Sequence, residues 1–367
     1  MRVAYDPQIF LRQRAGGVSR LFTELIREFD GDKGLGVNAL LPFSTTNNAL
    51  LTAALPERSF RTTPSWLPRG LLYAPWWVRG PRVGRHLDIV HHTYYGRRFL
   101  RAPGGSLQVT TIYDMIPELF PETRRRLDFL TVKKRYVEEA DHIICVSEST
   151  RRDLGTVYRS LNAPITVVPS GVGPEFTPSA PRLPEWPRDY LLHVGHRRGY
   201  KGGETLFQAF SLVKDDHPDL MLMLAGGGPL TMDEKEELVD LQIERRTLQQ
   251  QLPDSAMPSA YANARLFIFP SEYEGFGLPV LEAMASGTPV LLSNASSLPE
   301  VGGEAAEFFP TQDPDALAKQ MSRLLADDTL RHDNIKQGLR RASHFSWIHS
   351  AERTADVYRK TKYGGPS

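Results

Sequence analysis

Residues 271–294 read SEYEGFGLPVLEAMASGTPVLLSN, and the rest of the chain is understood from this stretch. Glu274 and Glu282 stand eight positions apart, with Gly275, Phe276, Gly277, Leu278 and Pro279 between them. Pro279 suits the first helical position, where a missing N–H costs nothing. Gly287, followed by Thr288 and Pro289, stops that helix. Glu274 is therefore expected in a loop and Glu282 on the first turns of a short helix. The glycines let the backbone approach a ligand closely, and the unpaired amides at a helix start favour an anion or acceptor oxygens. Carboxylates accept from hydroxyls while amides donate to oxygens, so the pattern suits a polyhydroxylated, phosphate-bearing ligand. Taken alone, a surface turn with two solvated glutamates reads better, and the remainder of the chain decides.

Around this stretch the second half alternates strand and helix. Residues 266–270 form a strand that feeds into it, and residues 288–293 form the next one. Upstream, residues 190–194 read as a strand, followed by GHRRGYKGGETLFQAFSLV (195–213), a loop and then a helix carrying Leu206, Phe207, Phe210 and Val213. Arg197 and Lys201 lie in that loop. Two cations beside a helix start suit a diphosphate, because amides, dipole and both charges act together. The plain alternative is a pair of solvated cations. Residues 220–225 are a further strand with GGGPL as its turn, and 314–326 a helix with a cap signal at 311–313.

The front half repeats the alternation. Residues 1–5 read as a strand, and Gly16 and Gly17 precede a helix with Leu21, Phe22, Leu25, Ile26 and Phe29 at helical spacing. Strand, glycine loop and helix start is a phosphate-approach geometry, though paired glycines are common in turns. Residues 37–42 form a second strand. Residues 65–82, SWLPRGLLYAPWWVRGPR, mix aromatic and basic residues, which suits a membrane interface or an acceptor groove. The prolines break any long amphipathic face and favour packing on the domain instead. Residues 88–91 form a strand expected to deliver His91 and His92 to a loop as polar cleft lining; no third ligand stands at metal-binding spacing. Residues 107–113 form a strand ending at Asp114, which places Asp114 at a candidate cleft or, more plainly, in a turn or cap. A basic helix over 124–140, a strand over 141–146, a cap at Ser147 or Ser149 and a strand over 164–169 follow. Five prolines within 170–188 mark a linker.

A length of 367 residues fits about two domains, and 41% hydrophobic with 24% charged residues is ordinary for a soluble protein. The start MRVAYDPQIF shows no export signal and no long apolar run predicts a membrane span, so a cytoplasmic location is expected. Cys145 is the only cysteine, which excludes an intrachain disulfide and a multi-cysteine metal site and points to a buried structural thiol. Residues 1–135 carry 21 Lys and Arg against 11 Asp and Glu, whereas the rest carry 23 against 32. The basic front half suggests an anionic partner such as a phosphorylated acceptor or the inner face of a membrane. Nucleic acid is not expected, because no recognised binding motif accompanies the charge. The nicotinamide, P-loop and nucleophile-elbow signatures are all absent.

With Arg197, Lys201, Glu274 and Glu282 assembled, the chain resembles the retaining glycosyltransferases of family 4. The resemblance runs through AGGVSRLFTELI, TTIYDMIPELFP, ADHIICVSESTRRDL, HVGHRRGYKG, EGFGLPVLEAMASGTPV and FSWIHSAERTADVYRK. The GGVSR and GYK variants resemble the branch that builds bacterial surface polysaccharides, often from mannose-type donors. The resemblance implies an α/β GT-B fold, with two Rossmann-like doubly wound domains facing across a cleft. Residues 1–170, completed by a final helix over 346–367, would form the acceptor-side domain; 171–188 would be the linker and 189–345 the nucleotide-sugar domain. Arg197 and Lys201 would take the diphosphate and stabilise the leaving group without a metal ion. Glu274 would face the donor sugar, Glu282 the ribose, and the amides of Gly275, Phe276, Gly277 and Leu278 the sugar hydroxyls and phosphate. Gly16, Gly17 and Gly195 would complete the donor contacts, and the base would lie near residues 249–252.

The implied activity moves a hexose from a nucleotide-diphosphate sugar to a glycan or lipid-linked acceptor with retention. The nucleotide sugar is a substrate, and no cofactor or metal is expected. Many relatives have His-Asp where this chain has Tyr113–Asp114. Asp114 keeps a polar role in the reading, Tyr113 does not inherit the histidine's, and His91 or His92 is the candidate replacement. Two other readings keep the fold but change the chemistry: an epimerase or phosphorylase, and a non-catalytic nucleotide-sugar-binding protein.

Overall fold

The computed structural model describes residues 1–31, 34–62, 87–96, 105–123 and 128–364. The aromatic and basic segment 65–82 and the arginine-rich start of the helix expected over 124–140 lie outside these residues. The chain divides into two compact units, Met1–Ser170 with Trp347–Ser367, and Gly171–Ser346.

The first unit is built on a parallel sheet of β1 (Arg2–Tyr5), β2 (Asn38–Leu40), β3 (Ile89–His92), β4 (Leu107–Ile112), β5 (His142–Cys145) and β6 (Ile165–Val167), in the order β2-β1-β3-β4-β5-β6. Its strands are short, and β1, β3 and β5 are buried almost throughout, as strands covered on both faces must be. The helix Gly17–Asp30 buries Leu21, Phe22, Leu25, Ile26 and Phe29, the residues whose spacing announces it. Ser147 caps the helix Glu148–Val157 by accepting from the Thr150 amide. The last helix, Trp347–Tyr363, belongs to this unit, and Tyr358 anchors it: its hydroxyl lies 2.7 Å from that of Tyr5 and 2.6 Å from His91 Nδ1. Cys145 is buried, and burial pushes its thiol up to about 12, out of the range of a nucleophile at neutral pH.

The second unit holds β7 (Tyr190–Val194), β8 (Met221–Ala225), β9 (Thr247–Gln250), β10 (Leu266–Phe269), β11 (Val290–Ser293) and β12 (Ala306–Phe309), all parallel, in the order β12-β11-β10-β7-β8-β9. The chain starts mid-sheet at β7, works out to β9, returns to the other side of β7 with β10, and works out to β12. The order therefore reverses between β7 and β10, and the crevice at the carboxyl ends of those two strands is where ligands bind in such sheets. The helices Gly203–Val213 and Pro314–Ala326 place Leu206, Phe207, Phe210, Leu317, Met321 and Leu324 against Leu191, Leu222, Leu266 and Leu291 in one core. Each such side chain contributes about 1.5–3 kcal/mol of burial, which fixes the strand ends.

Two differences from the sequence reading stand out. The strand expected over 88–91 runs on to His92, and His91 and His92 are 0% and 2% exposed, so neither lines a cleft. Both ring nitrogens of each already have partners: Tyr358 and Thr111 for His91, Asp6 and Gln108 for His92. Neither is free to replace a missing donor-site histidine. In the second unit, β9 and the helix Met232–Asp240 went unread, the first because TLQQ has no apolar run, the second because TMDEKEELVD is mostly charged.

Candidate functional site

The loops that leave β7 and β10 meet across the point where the strand order reverses. After β7 the chain passes Gly195, His196, Arg197 and Arg198, makes a single turn over Gly199–Lys201 and enters the helix Gly203–Val213. Gly202 lies at φ +70, where a Cβ would stand 2.4 Å from the carbonyl oxygen of Pro270. Only glycine lets this loop press so closely on the one after β10. The Glu272 amide closes the contact by donating to the Tyr200 carbonyl at 2.7 Å.

That junction places Lys201 Nζ 2.7 Å from Glu274 Oε1, with the two side chains 17% and 12% exposed. The ammonium also lies 4.9 Å from the centre of the Tyr200 ring. The residues after β11 hold Glu274 in place: its amide donates to Ser296 Oγ at 2.8 Å, and Ser297 Oγ donates to the carbonyls of Glu274 and Phe276 at 3.0 and 2.9 Å. The chain then turns at Gly277, φ +101, into the helix Leu278–Ala285, with Pro279 in its first turn. The amides of Phe276, Gly277 and Leu278 have no acceptor among the described residues. Glu282 lies on the next turn of this helix, buried, and its Oε2 accepts from the Tyr261 hydroxyl at 2.8 Å. A cation, a carboxylate and a run of amide donors thus meet at the carboxyl ends of β7 and β10, with a second carboxylate buried on the helix that follows. Such a set offers positive charge and N–H donors to phosphate oxygens and carboxylate acceptors to hydroxyls.

Arg197 does not join them as an open cation. Its side chain is 3% exposed, and it donates from Nε to Glu234 Oε1 at 2.8 Å and from Nη2 to Glu234 Oε2 at 3.3 Å. The remaining bonds run to the carbonyls of Gly226, Gly228 and Pro229 at 3.1, 3.2 and 3.4 Å. Burial works against the Glu234 carboxylate, but Arg197 and the Thr231 amide outweigh it and hold its pKa below the ordinary value. A loop position shows that a cation is near a helix start; it does not show that the guanidinium turns inward. Gly195, at φ +113, donates its amide to Ala225 and lies against the same turn.

The other candidates lie in the first unit. Asp114 Oδ1 accepts from the Ile116 amide at 3.1 Å, and its carbonyl accepts from the buried Lys133 at 2.8 Å, so it serves the turn that follows β4. Tyr113 is buried and donates to the Thr93 carbonyl at 2.8 Å. Gly16 caps the helix Gly17–Asp30, with the Gln13 side chain accepting from the Ser19 amide in place of a capping hydroxyl. Sequence reasoning missed Asp6, which is fully buried just past β1 and accepts from Thr93 Oγ1 at 2.6 Å and Gln8 Nε2 at 2.8 Å. Its place at a strand's carboxyl end was the available signal. Glu234 was missed as well, although Thr231-x-x-Glu234 is a capping box and the structure shows both of its bonds. Nothing in the pattern pointed to Tyr261, Ser296 or Ser297. Among the described residues no group of three or more His, Cys, Asp or Glu is placed to hold a metal ion, and no helix is long and apolar enough to cross a membrane.

Comparison with known proteins places these features in a wider set. A profile of the glycosyl transferases group 1 matches residues 182–341, and one of glycosyltransferase family 4 matches residues 15–176. The chain is 30% identical over 288 residues to O-antigen chain mannosyltransferase B of Escherichia coli, covering 74% of this chain and 75% of that one. Among solved structures, sucrose-phosphate synthase from Thermosynechococcus elongatus superposes with a TM-score of 0.75 at 22% identity, over 98% of each chain. HepE of Anabaena, solved with UDP and glucose, superposes at 0.73 and 16% identity, over 97% of this chain and 99% of that one. The fold they share is GT-B, two Rossmann-like domains in one chain.

Proposed function

The chain belongs to the group 1 glycosyl transferases of family 4, and on that footing we propose that it moves a hexose from a nucleotide-diphosphate sugar to a glycan or lipid-linked acceptor, with retention and without a metal ion. The observation that carries the reading is the Lys201–Glu274 pair, 2.7 Å apart at the strand-order reversal and beside three amides with no acceptor among the described residues. Breaking an anomeric bond builds negative charge on the departing diphosphate and positive charge on the sugar ring. Lys201 and the amides of Phe276, Gly277 and Leu278 stabilise the first, and they are held in place before substrate arrives. Glu274 accepts from hydroxyls of the sugar and Glu282 from those of the ribose. In the donor complex Lys201 and Glu274 exchange each other for phosphate and hydroxyl, so neither charge is left alone in a partly buried site.

The Escherichia coli relative is a mannosyltransferase and the Anabaena structure holds UDP, which makes GDP-mannose and the UDP-hexoses the first donors to try. We assign acceptor recognition to the first unit, and its basic charge to an anionic partner, a phosphorylated acceptor or the inner leaflet of a membrane. A thermal-shift panel of nucleotide sugars tests the donor reading, since a ligand that binds only the folded state raises its apparent stability. At least one donor is expected to raise the melting temperature in a concentration-dependent way. No shift with any member of the panel at millimolar concentration would refute the reading.

A further inference from the structure

The inward turn of Arg197 carries a consequence for how the site is built. Three consecutive glycines after β8, Gly226, Gly227 and Gly228, all take positive φ, at +76, +71 and +80. Their turn is drawn in tightly: a Cβ on Gly227 would stand 2.3 Å from the Gly195 carbonyl oxygen and 2.6 Å from Arg197 Nη1. Arg197 gathers the carbonyls of Gly226, Gly228 and Pro229, and Glu234 fixes Arg197 from the far side. Glu234 is itself locked, because its carboxylate also accepts from the Thr231 amide at 2.8 Å at the start of the helix Met232–Asp240. The Gly226 amide donates to Gln250 at the end of β9. One side chain thus ties the carboxyl ends of β7 and β8 together, beside the loop that bears Lys201, and the Gly226 amide joins that turn to the end of β9. The amides of Gly227 and Gly228 have no acceptor among the described residues, and successive amides in such a turn present partial positive charge.

Resting on the donor reading above, we propose that Arg197 is a positioning residue, clamped by Glu234, which holds the Gly226–Pro229 turn against Gly195 as part of the wall that receives the donor's nucleoside diphosphate, and that it does not itself bind the phosphates. The clamp needs the planar fork of a guanidinium, since several carbonyls and a carboxylate are held at once. A lysine keeps the charge and loses the fork. Glu234→Gln weakens the clamp, whereas it would release Arg197 toward an anion if Arg197 were a phosphate ligand.

The test is calorimetric titration of UDP and GDP into the full chain, wild type and Arg197→Lys, Glu234→Gln, the double variant and Lys201→Ala, each held well below its own melting temperature. The clamp predicts that both single variants weaken nucleoside diphosphate binding by roughly tenfold, with the double variant no weaker than Arg197→Lys alone, because neighbours acting as one unit are not additive. Glu234→Gln binding as tightly as wild type or more tightly overturns the clamp in favour of a direct phosphate contact. Lowered melting temperatures with unchanged affinities in both single variants also overturn it, since Arg197 would then only stabilise the fold. If an Arg197 variant fails to fold, Glu234→Gln alone decides between these outcomes. The donor reading fails separately, if wild type binds neither UDP nor GDP.

Discussion

Lys201 and Glu274 are mutually neutralised, partly buried and carried by different loops. Removing one leaves the other charge without its partner in a poorly solvated site. The loop position of Glu274 and the helix position of Glu282 were legible from the sequence because the glycines and the helix signals around them are local. Arg197 was legible only as a charge. Its partner Glu234 stands 37 residues away, and spacing within a loop says nothing about a contact of that range. The histidines show the same limit: the run up to His91 reads as a strand, and only the folded structure reveals that His92 continues it and that both side chains are buried. Burial carries a testable cost there. It lowers His91 to about 3 and His193 to about 4, so both are neutral in the folded chain at pH values where the unfolded chain is protonated. The unfolded state then binds more protons, and the stability is present in full above about pH 6.5 and lost as pH falls from there toward 4. Each histidine contributes a slope of up to about 1.4 kcal/mol per pH unit. Urea denaturation is expected to show lower stability at pH 5 than at pH 7, with part of the difference removed in His193→Asn. Equal stability at both values contradicts the buried-neutral assignment.

At the scale of elements, the strands β7, β10 and β11 were readable because continuous apolar runs suit strands covered on both faces. β9 was not, because its TLQQ sequence is polar and half-buried at the edge of its sheet, and only hydrogen bonding to β8 defines it. What positions the site is less the strands than the close approach of the loops that leave them. Gly202 is the tightest point of that approach. An alanine there must adopt φ +70 and meet the Pro270 carbonyl, backbone that cannot swing aside. Gly202→Ala is expected to destabilise by about 1–3 kcal/mol and to lower turnover by separating Lys201 from Glu274. Gly36→Ala is its control, since nothing lies within 4 Å of a Cβ there although φ is +68. Comparable backbone strain without the loop separation should lower the melting temperature similarly and activity less. Equal losses of activity in the two variants would show that the contact at Gly202 does not set the site.

The whole molecule divides its charge as well as its fold, with residues 1–135 carrying ten more positive than negative side chains and the remainder nine more negative. Salt-sensitive co-sedimentation with anionic vesicles is expected, strongest at low ionic strength and weakened as the Debye length shortens. No recovery with vesicles at low salt would leave a charged acceptor as the partner for that face. The family and the two-unit organisation were readable from ordered motifs along the chain. The acceptor was not, because the segment from 44 to 101 offers few periodic elements and part of it lies outside the described residues. The central claim, that the second unit spends Lys201 and Glu274 on a nucleotide-sugar donor, is tested most directly by following nucleoside diphosphate release from GDP-mannose and UDP-hexoses with wild type and Lys201→Ala. Wild type should consume at least one donor, and the variant should do so at least ~100-fold more slowly, the scale of losing one preorganised charge. Turnover by Lys201→Ala within a few-fold of wild type would contradict the account.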